Sequence, residues 1–270
     1  MLAARSRTAS AAAARSSSPL VAARHRAPIA SRRHRLVAMA TATAPPSGGG
    51  NTITLYIKGD PAAKKLGDCP FCHRVLLTAE AKGIPYASTM IDLDNKPEWL
   101  LEKAQGKVPV LERAGYWLPD SDEIVKFFER EFPVPSMAAY DHGDVGSKLF
   151  PAFRGAILAE KGSDEEKQKM ADLDAELDRV DAYLAGRADA GPFFGGAKLD
   201  AADASFAPKL YHAKVALPKL KGTAPLFGGG KRKALERYWE ALTGLDAWKN
   251  TDYGEAAIVA GWERHVRMHK

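Results

Sequence analysis

Cys69 and Cys72 are the only cysteines in the 270-residue chain, and they stand as Cys-Pro-Phe-Cys. That spacing suits a dithiol, a pair of metal ligands, or one reactive sulfur with a neighbour. The flanking residues narrow the choice. Ile53-Thr-Leu-Tyr-Ile57 alternates as a half-buried strand does. Pro70 then suits the first position of a helix whose inward stripe is Val75, Leu76 and Ala79 and whose stop is Gly83. A cysteine at that junction has the helix's first free N–H groups aimed at its sulfur, which favours thiolate over thiol near neutral pH. Cys69 is therefore the candidate nucleophile. Cys72 lies three residues further in, where the terminus helps less. It reads either as a resolving thiol able to close a Cys69–Cys72 disulfide or as a packed thiol that donates a weak hydrogen bond. His73 is turned away from Cys69 by the helix, so no metal site is expected.

The elements that must position this sulfur follow a recognisable order. Tyr86 to Leu93 reads as a second strand, and Trp99 to Leu101 belong to a short helix after the loop at 94–97. Val110–Arg113 and Tyr116–Leu118 make a hairpin about Ala114-Gly115. Asp120-Ser121-Asp122-Glu123 opens a third helix, with Asp120 or Ser121 as its cap. Strand, helix, strand, helix, strand, strand, helix, with a redox-type cysteine after the first strand, is a thioredoxin-like order over residues 52–131. Residues 132–140 hold a proline-broken linker, and 141–270 read as all-helical. Ser163 to Glu166 forms a capping box, Asp200 to Asp203 caps a helix whose Pro208 implies a kink or a distorted first turn, and further helices fall near 231–242 and 252–268. The fold class is α/β followed by all-α.

Composition removes several classes. An apolar content of 46% and a charged content of 27% are those of a soluble protein, and no run approaches the ~18 apolar residues of a membrane span. The net charge of +6 is unevenly distributed. The first acidic residue is Asp60, and residues 1–45 carry eight arginines, no lysine and abundant Ala and Ser. Without those eight, 31 basic residues face 33 acidic ones, a net −2. Residues 1–45 thus read as a disordered organellar transit peptide rather than a nucleic-acid-binding arm, with the chloroplast stroma first and the mitochondrion second.

Beyond the cysteines, Asn95-Lys-Pro97, Gly106-Lys-Val-Pro-Val110, Pro119-Asp-Ser-Asp122, Ala207-Pro-Lys-Leu-Tyr-His212 and Ala260-Gly-Trp262 stand in order. With Leu66-Gly-Asp-Cys-Pro-Phe-Cys72 they resemble the plant and algal dehydroascorbate reductases of the glutathione transferase superfamily, over about residues 52–266. The cysteine motif alone is shared with omega-class transferases, chloride intracellular channel proteins and, more loosely, glutaredoxins. The last two segments narrow the match.

The resemblance implies reduction of dehydroascorbate to ascorbate by two glutathiones, through Cys69, in a ping-pong cycle of oxidised sulfur and mixed disulfide. Glutathione is then a co-substrate, with no bound cofactor, and the protein acts as a monomer without nucleic-acid or membrane partners. For glutathione it implies Lys58, Asp68, Lys96, Val108, Pro109 and Ser121. Pro109 occupies the place of a cis-proline that frees the Val108 backbone to pair with the peptide. Ser121 at a helix start suits the γ-glutamyl carboxylate, and Lys96 the glycyl one. For dehydroascorbate it implies Lys58, Asp68, His212 and Trp262. In this family position 72 is often Ser, so a second thiol is dispensable there. The alternatives are an omega-like thiol transferase that removes glutathione from mixed disulfides, and a non-enzymatic redox-switched protein like the chloride intracellular channels.

Overall fold

The computed structural model describes residues 52–269; the transit-peptide reading of 1–45 lies outside them. Strand β1 (Ile53–Asp60) is the hub of the sheet. It pairs in parallel with β3 (Tyr86–Ile91) on one edge, Ile53 opposite Tyr86 through Lys58 opposite Ile91. On the other edge it pairs antiparallel with β4 (Val110–Arg113), which forms a hairpin with β5 (Tyr116–Pro119). The sequence reading omitted one strand, β2 (Lys65–Leu66), which pairs with Gly59 and Asp60. Two residues carry no period of their own, so only this tertiary pairing defines the element.

Helices α1 (Pro70–Lys82) and α3 (Ser121–Glu131) cover one face of the sheet, where Ile53, Leu55, Ile57 and Leu111 meet Val75, Leu76, Ile124 and Phe128. Helix α2 (Glu98–Ala104) covers the other, over Tyr56, Ile91 and Val110. Gly83 closes α1 in the left-handed conformation (φ 65°), its N–H shared by the carbonyls of Ala79 and Glu80.

The remaining elements are helical: α4 (Leu149–Leu158), α5 (Asp164–Ala185), α6 (Ala201–Ala216), α7 (Lys233–Gly244), α8 (Asp246–Lys249) and α9 (Glu255–Met268). Asp200 and Asp203 make a reciprocal capping box at α6. At α5 the box is only half made. Ser163 Oγ accepts from Glu166 N–H at 3.1 Å, but Glu166 reaches Gly162 N–H and Lys221 Nζ instead of the cap's own amide. Helix α6 runs through Pro208 to Ala216. The last helix starts three residues later than the sequence indicates. Gly254, at φ 81°, sits outside the helical region and sets the start. Leu77 of α1 is fully buried in the helical core, so the two halves share a packed interface.

Of the titratable groups buried in this interior, two histidines and one aspartate are shifted. His73 and His212 are each 1% exposed, and burial pushes both down to about 3. Asp203 is fully buried, and burial raises it to about 7. Between roughly pH 6 and 4.5 the unfolded chain therefore binds two protons at these histidines, while the native chain binds one at Asp203. The histidines' contribution is fully present above their unfolded pKa and is lost as pH drops; with Asp203 offsetting one proton, the net fall from these three groups is about 1.4 kcal/mol per pH unit over this range. Urea unfolding across that range measures the slope. A flat or inverted profile contradicts this assignment of charge states.

Candidate active site

Cys69 is the residue immediately before α1, in extended conformation (φ −101°, ψ 112°). Its Sγ accepts the N–H of Cys72 at 3.4 Å, its own N–H donates to Gly67 O at 2.9 Å, and its carbonyl accepts from His73 N–H at 2.9 Å. Pro70 at the first helical position has no N–H to waste. The Cys69 thiol is held below its ordinary pKa. The largest cause is the Cys72 thiol donating to its sulfur, working against burial; the amides of Cys72 and Phe71 and the Lys58 charge add to it. Cys72 is affected oppositely. It is 2% exposed, and burial first, then the bond to Cys69, raise it well above the usual thiol value, so it keeps its proton. Its sulfur also accepts Lys58 N–H at 3.3 Å. Both cysteines are free.

Two cavities adjoin this first turn, and Phe71, 40% exposed, lines both. One is a groove of about 550 Å³ walled by Val108, Pro109, Ser121 and Lys107. The Val108–Pro109 peptide is cis. Among the described residues the Val108 N–H and carbonyl have no hydrogen-bond partner, so an extended ligand can pair with them as a strand would. Asp120 caps α3, its carboxylate accepting from Asp122 and Glu123 N–H. Ser121 is thereby released from capping, and among the described residues neither its hydroxyl nor its N–H has a partner. An anion can take both, helped by the helix terminus.

The second cavity, about 850 Å³, brings Lys58, Asp68, His212 and Trp262 together with Phe71 and Gly261. Lys58 and Asp68 thus face this cavity and not the groove. They form an ion pair at 2.6 Å, with side chains 23% and 12% exposed. Lys96 lines neither cavity. Its stem runs across Gly106, whose missing Cβ would stand 3.3 Å from Lys96 Cδ, and Lys103 and Lys107 occupy the groove wall instead.

His212 and Trp262 present ring surface rather than free polar atoms. Trp262 Nε1–H donates to His212 Nδ1 at 2.8 Å, so the neutral imidazole carries its proton on Nε2 and donates it to Tyr253 Oη at 2.7 Å. Both ring nitrogens are spent on the protein. Sequence reasoning missed Tyr253, which lies in the stretch between α8 and α9 that reads as helix. It also missed Phe71, which was legible as the central residue of the cysteine motif. His73 faces away from the sulfur, its Nε2 3.0 Å from Thr251 Oγ1 and its ring against Trp248. Among the described residues no group of three or more His, Cys, Asp or Glu could hold a metal ion, and no helix is long and apolar enough to cross a membrane.

Comparison with known proteins agrees with this geometry. Residues 68–131 match the model of the glutathione S-transferase N-terminal domain, and residues 156–248 that of the C-terminal domain. The chain is 38% identical to Glutathione S-transferase DHAR3, chloroplastic, of Arabidopsis thaliana, over 85% of this chain and 84% of that one. It is 39% identical to the probable cytosolic DHAR1 of Oryza sativa subsp. japonica, over 74% and 92%. Among solved structures, the Chlamydomonas reinhardtii dehydroascorbate reductase superposes with a TM-score of 0.75 at 47% identity, covering 79% of this chain and 98% of that one. A Trametes versicolor omega transferase at 24% identity (TM-score 0.64) shares the fold, covering 82% of this chain and 98% of that one. With its sulfur at a helix start between a strand-pairing groove and a Lys–Asp-lined cavity, the chain belongs to the dehydroascorbate reductases of the glutathione transferase family.

Proposed function

We propose that this protein reduces dehydroascorbate to ascorbate at the expense of two glutathiones, with Cys69 as the reacting sulfur. The observation that carries the reading is a thiol held below its ordinary pKa at a helix start whose neighbours Asp68, Pro70 and Phe71 line the cavities on either side. In the first half-reaction the Cys69 thiolate, dehydroascorbate and one water give ascorbate anion and a Cys69 sulfenic acid. Sulfur loses two electrons, and the dicarbonyl gains them with one proton. Glutathione then condenses with the sulfenic acid, releasing water and leaving a mixed disulfide. A second glutathione displaces Cys69 as thiol and departs as glutathione disulfide.

The thioredoxin-like half, residues 52–131, supplies the glutathione groove. The Val108 backbone pairs with the cysteinyl unit, and Ser121 takes the γ-glutamyl carboxylate, with Lys107 in the place first expected of Lys96. Residues 141–270 supply the wall against dehydroascorbate. Lys58 is the cation facing both the sulfur and the substrate, and it stabilises the enediolate charge that develops. Asp68 holds Lys58 in place, while His212 and Trp262 shape the cavity through their rings. Cys72 acts as hydrogen-bond donor to the thiolate, not as resolving thiol, because its own pKa is raised. The acid-free, arginine-rich residues 1–45 and the chloroplastic relative support the chloroplast, though a cytosolic relative is equally similar. Fusing residues 1–45 to a fluorescent protein is expected to direct it to chloroplasts; a cytosolic signal refutes that address.

The thiolate scheme predicts that Cys69→Ser abolishes turnover. Cys72→Ser keeps a donor and most of the turnover. Cys72→Ala removes the donor and raises the Cys69 midpoint by about one pH unit, since a hydrogen bond to a charged group is worth about 1.5 kcal/mol or more. The pH dependence of iodoacetamide alkylation reads that midpoint. An unchanged midpoint in Cys72→Ala, or loss of turnover in a folded Cys72→Ser, contradicts the donor role.

A further inference from the structure

The Lys58–Asp68 pair lies in a slot between two glycines. Gly67 packs beneath the lysine. A Cβ there would stand 2.8 Å from Lys58 Cγ and 3.1 Å from its carbonyl carbon, and Gly67 N–H donates to Lys58 O at 2.9 Å. Gly261, in the middle of α9, lies over the carboxylate, and a Cβ there would overlap Oδ2 and Cγ of Asp68. The other oxygen, Oδ1, is the one that holds Lys58 Nζ at 2.6 Å. The carboxylate is therefore gripped at both ends, one oxygen on the ammonium and the other against bare helix backbone. The backbone of Gly261 is helical, not left-handed, so its conformation does not demand glycine. A glycine inside a helix costs about 1 kcal/mol relative to alanine. The close approach of Asp68 is what requires it.

We propose that Gly261 is a positioning residue for the dehydroascorbate half-reaction: by letting α9 close on Asp68, it fixes the Lys58–Asp68 pair beside the sulfur and the substrate. The inference rests on the dehydroascorbate reading above and assigns a role to a residue that has no side chain to offer the reaction. A side chain at 261 must either swing the carboxylate, taking Lys58 with it, or push α9 back. The second course draws Trp262 away from His212, because Trp262 is the next residue along the helix. Both disturb the 850 Å³ cavity, while the groove of Val108 and Ser121 lies on the other side of Phe71.

The test separates the two half-reactions in the full chain. Reduced protein is mixed with dehydroascorbate without glutathione, and Cys69 oxidation is followed by intact mass with a sulfenic-acid trap. The preformed Cys69–glutathione mixed disulfide is mixed separately with glutathione, and its reduction is timed. Gly261→Ala is expected to slow the first rate about tenfold or more, as a misplaced catalytic group does, and to leave the second within twofold. In an Asp68→Ala background, where the overlapping atoms are gone, Gly261→Ala should change the first rate by less than twofold. Equal slowing in both backgrounds, equal loss in both half-reactions, or no slowing in the otherwise native chain would each overturn the proposal. A native chain that dehydroascorbate fails to oxidise would instead overturn the activity itself.

Discussion

A sulfur anion inside a folded chain persists only where donors replace the water it has lost, and at Cys69 those donors belong to the first turn of α1. The Cys72 amide and thiol both point at one atom, and the Phe71 amide and the Lys58 charge add to them. The rest of the sheet domain is arranged to make that turn possible. Strand β1 delivers Lys58 at its end, and Gly67 lets the returning chain pass under it. Proline at the first helical position then starts the helix without using a donor. Burial works against the anion, so the arrangement depends on directed N–H and S–H groups more than on general polarity.

The same turn explains why oxidant and reductant can use one sulfur in succession. Phe71, fixed two residues after Cys69, separates a backbone-pairing groove from a broader cavity. The groove offers unpaired main-chain groups and a helix start, features that suit a peptide such as glutathione and offer little to a small lactone. The cavity offers an ion pair and aromatic rings. In the proposed cycle two chemically different ligands thus approach the sulfur from different sides.

Local chemistry made much of this legible before the structure. Pro70 and Gly83 bracket α1 at both ends because a missing donor and a left-handed residue are strictly local requirements. The Asp200–Asp203 box was readable for the same reason. What escaped depends on distance across the fold. Strand β2 exists only through its pairing with Gly59 and Asp60. Lys96 and Lys107 are equally plausible carboxylate partners in sequence, and only the course of the chain around Gly106 places Lys107 at the groove. Ala260-Gly-Trp262 stood out as a segment, but the reason for its glycine is a carboxylate nearly two hundred residues earlier in the chain.

The histidine in the cavity wall shows why residue type is an incomplete guide to mechanism. A histidine near a thiolate suggests an acid or a base, yet His212 receives the Trp262 proton on one nitrogen and gives its own to Tyr253 from the other. Burial and the nearby Lys58 charge keep it neutral, so it neither stores a proton nor offers a lone pair. Its contribution is to tie the indole in the cavity wall to the Tyr253 phenol. In the proposed cycle the charge change then falls on the Cys69 sulfur and its substrate rather than on this histidine. That separation has a physical advantage. A ring pair that holds no mobile proton leaves the thiolate's stabilisation to the directed Cys72 and Phe71 donors at the helix start.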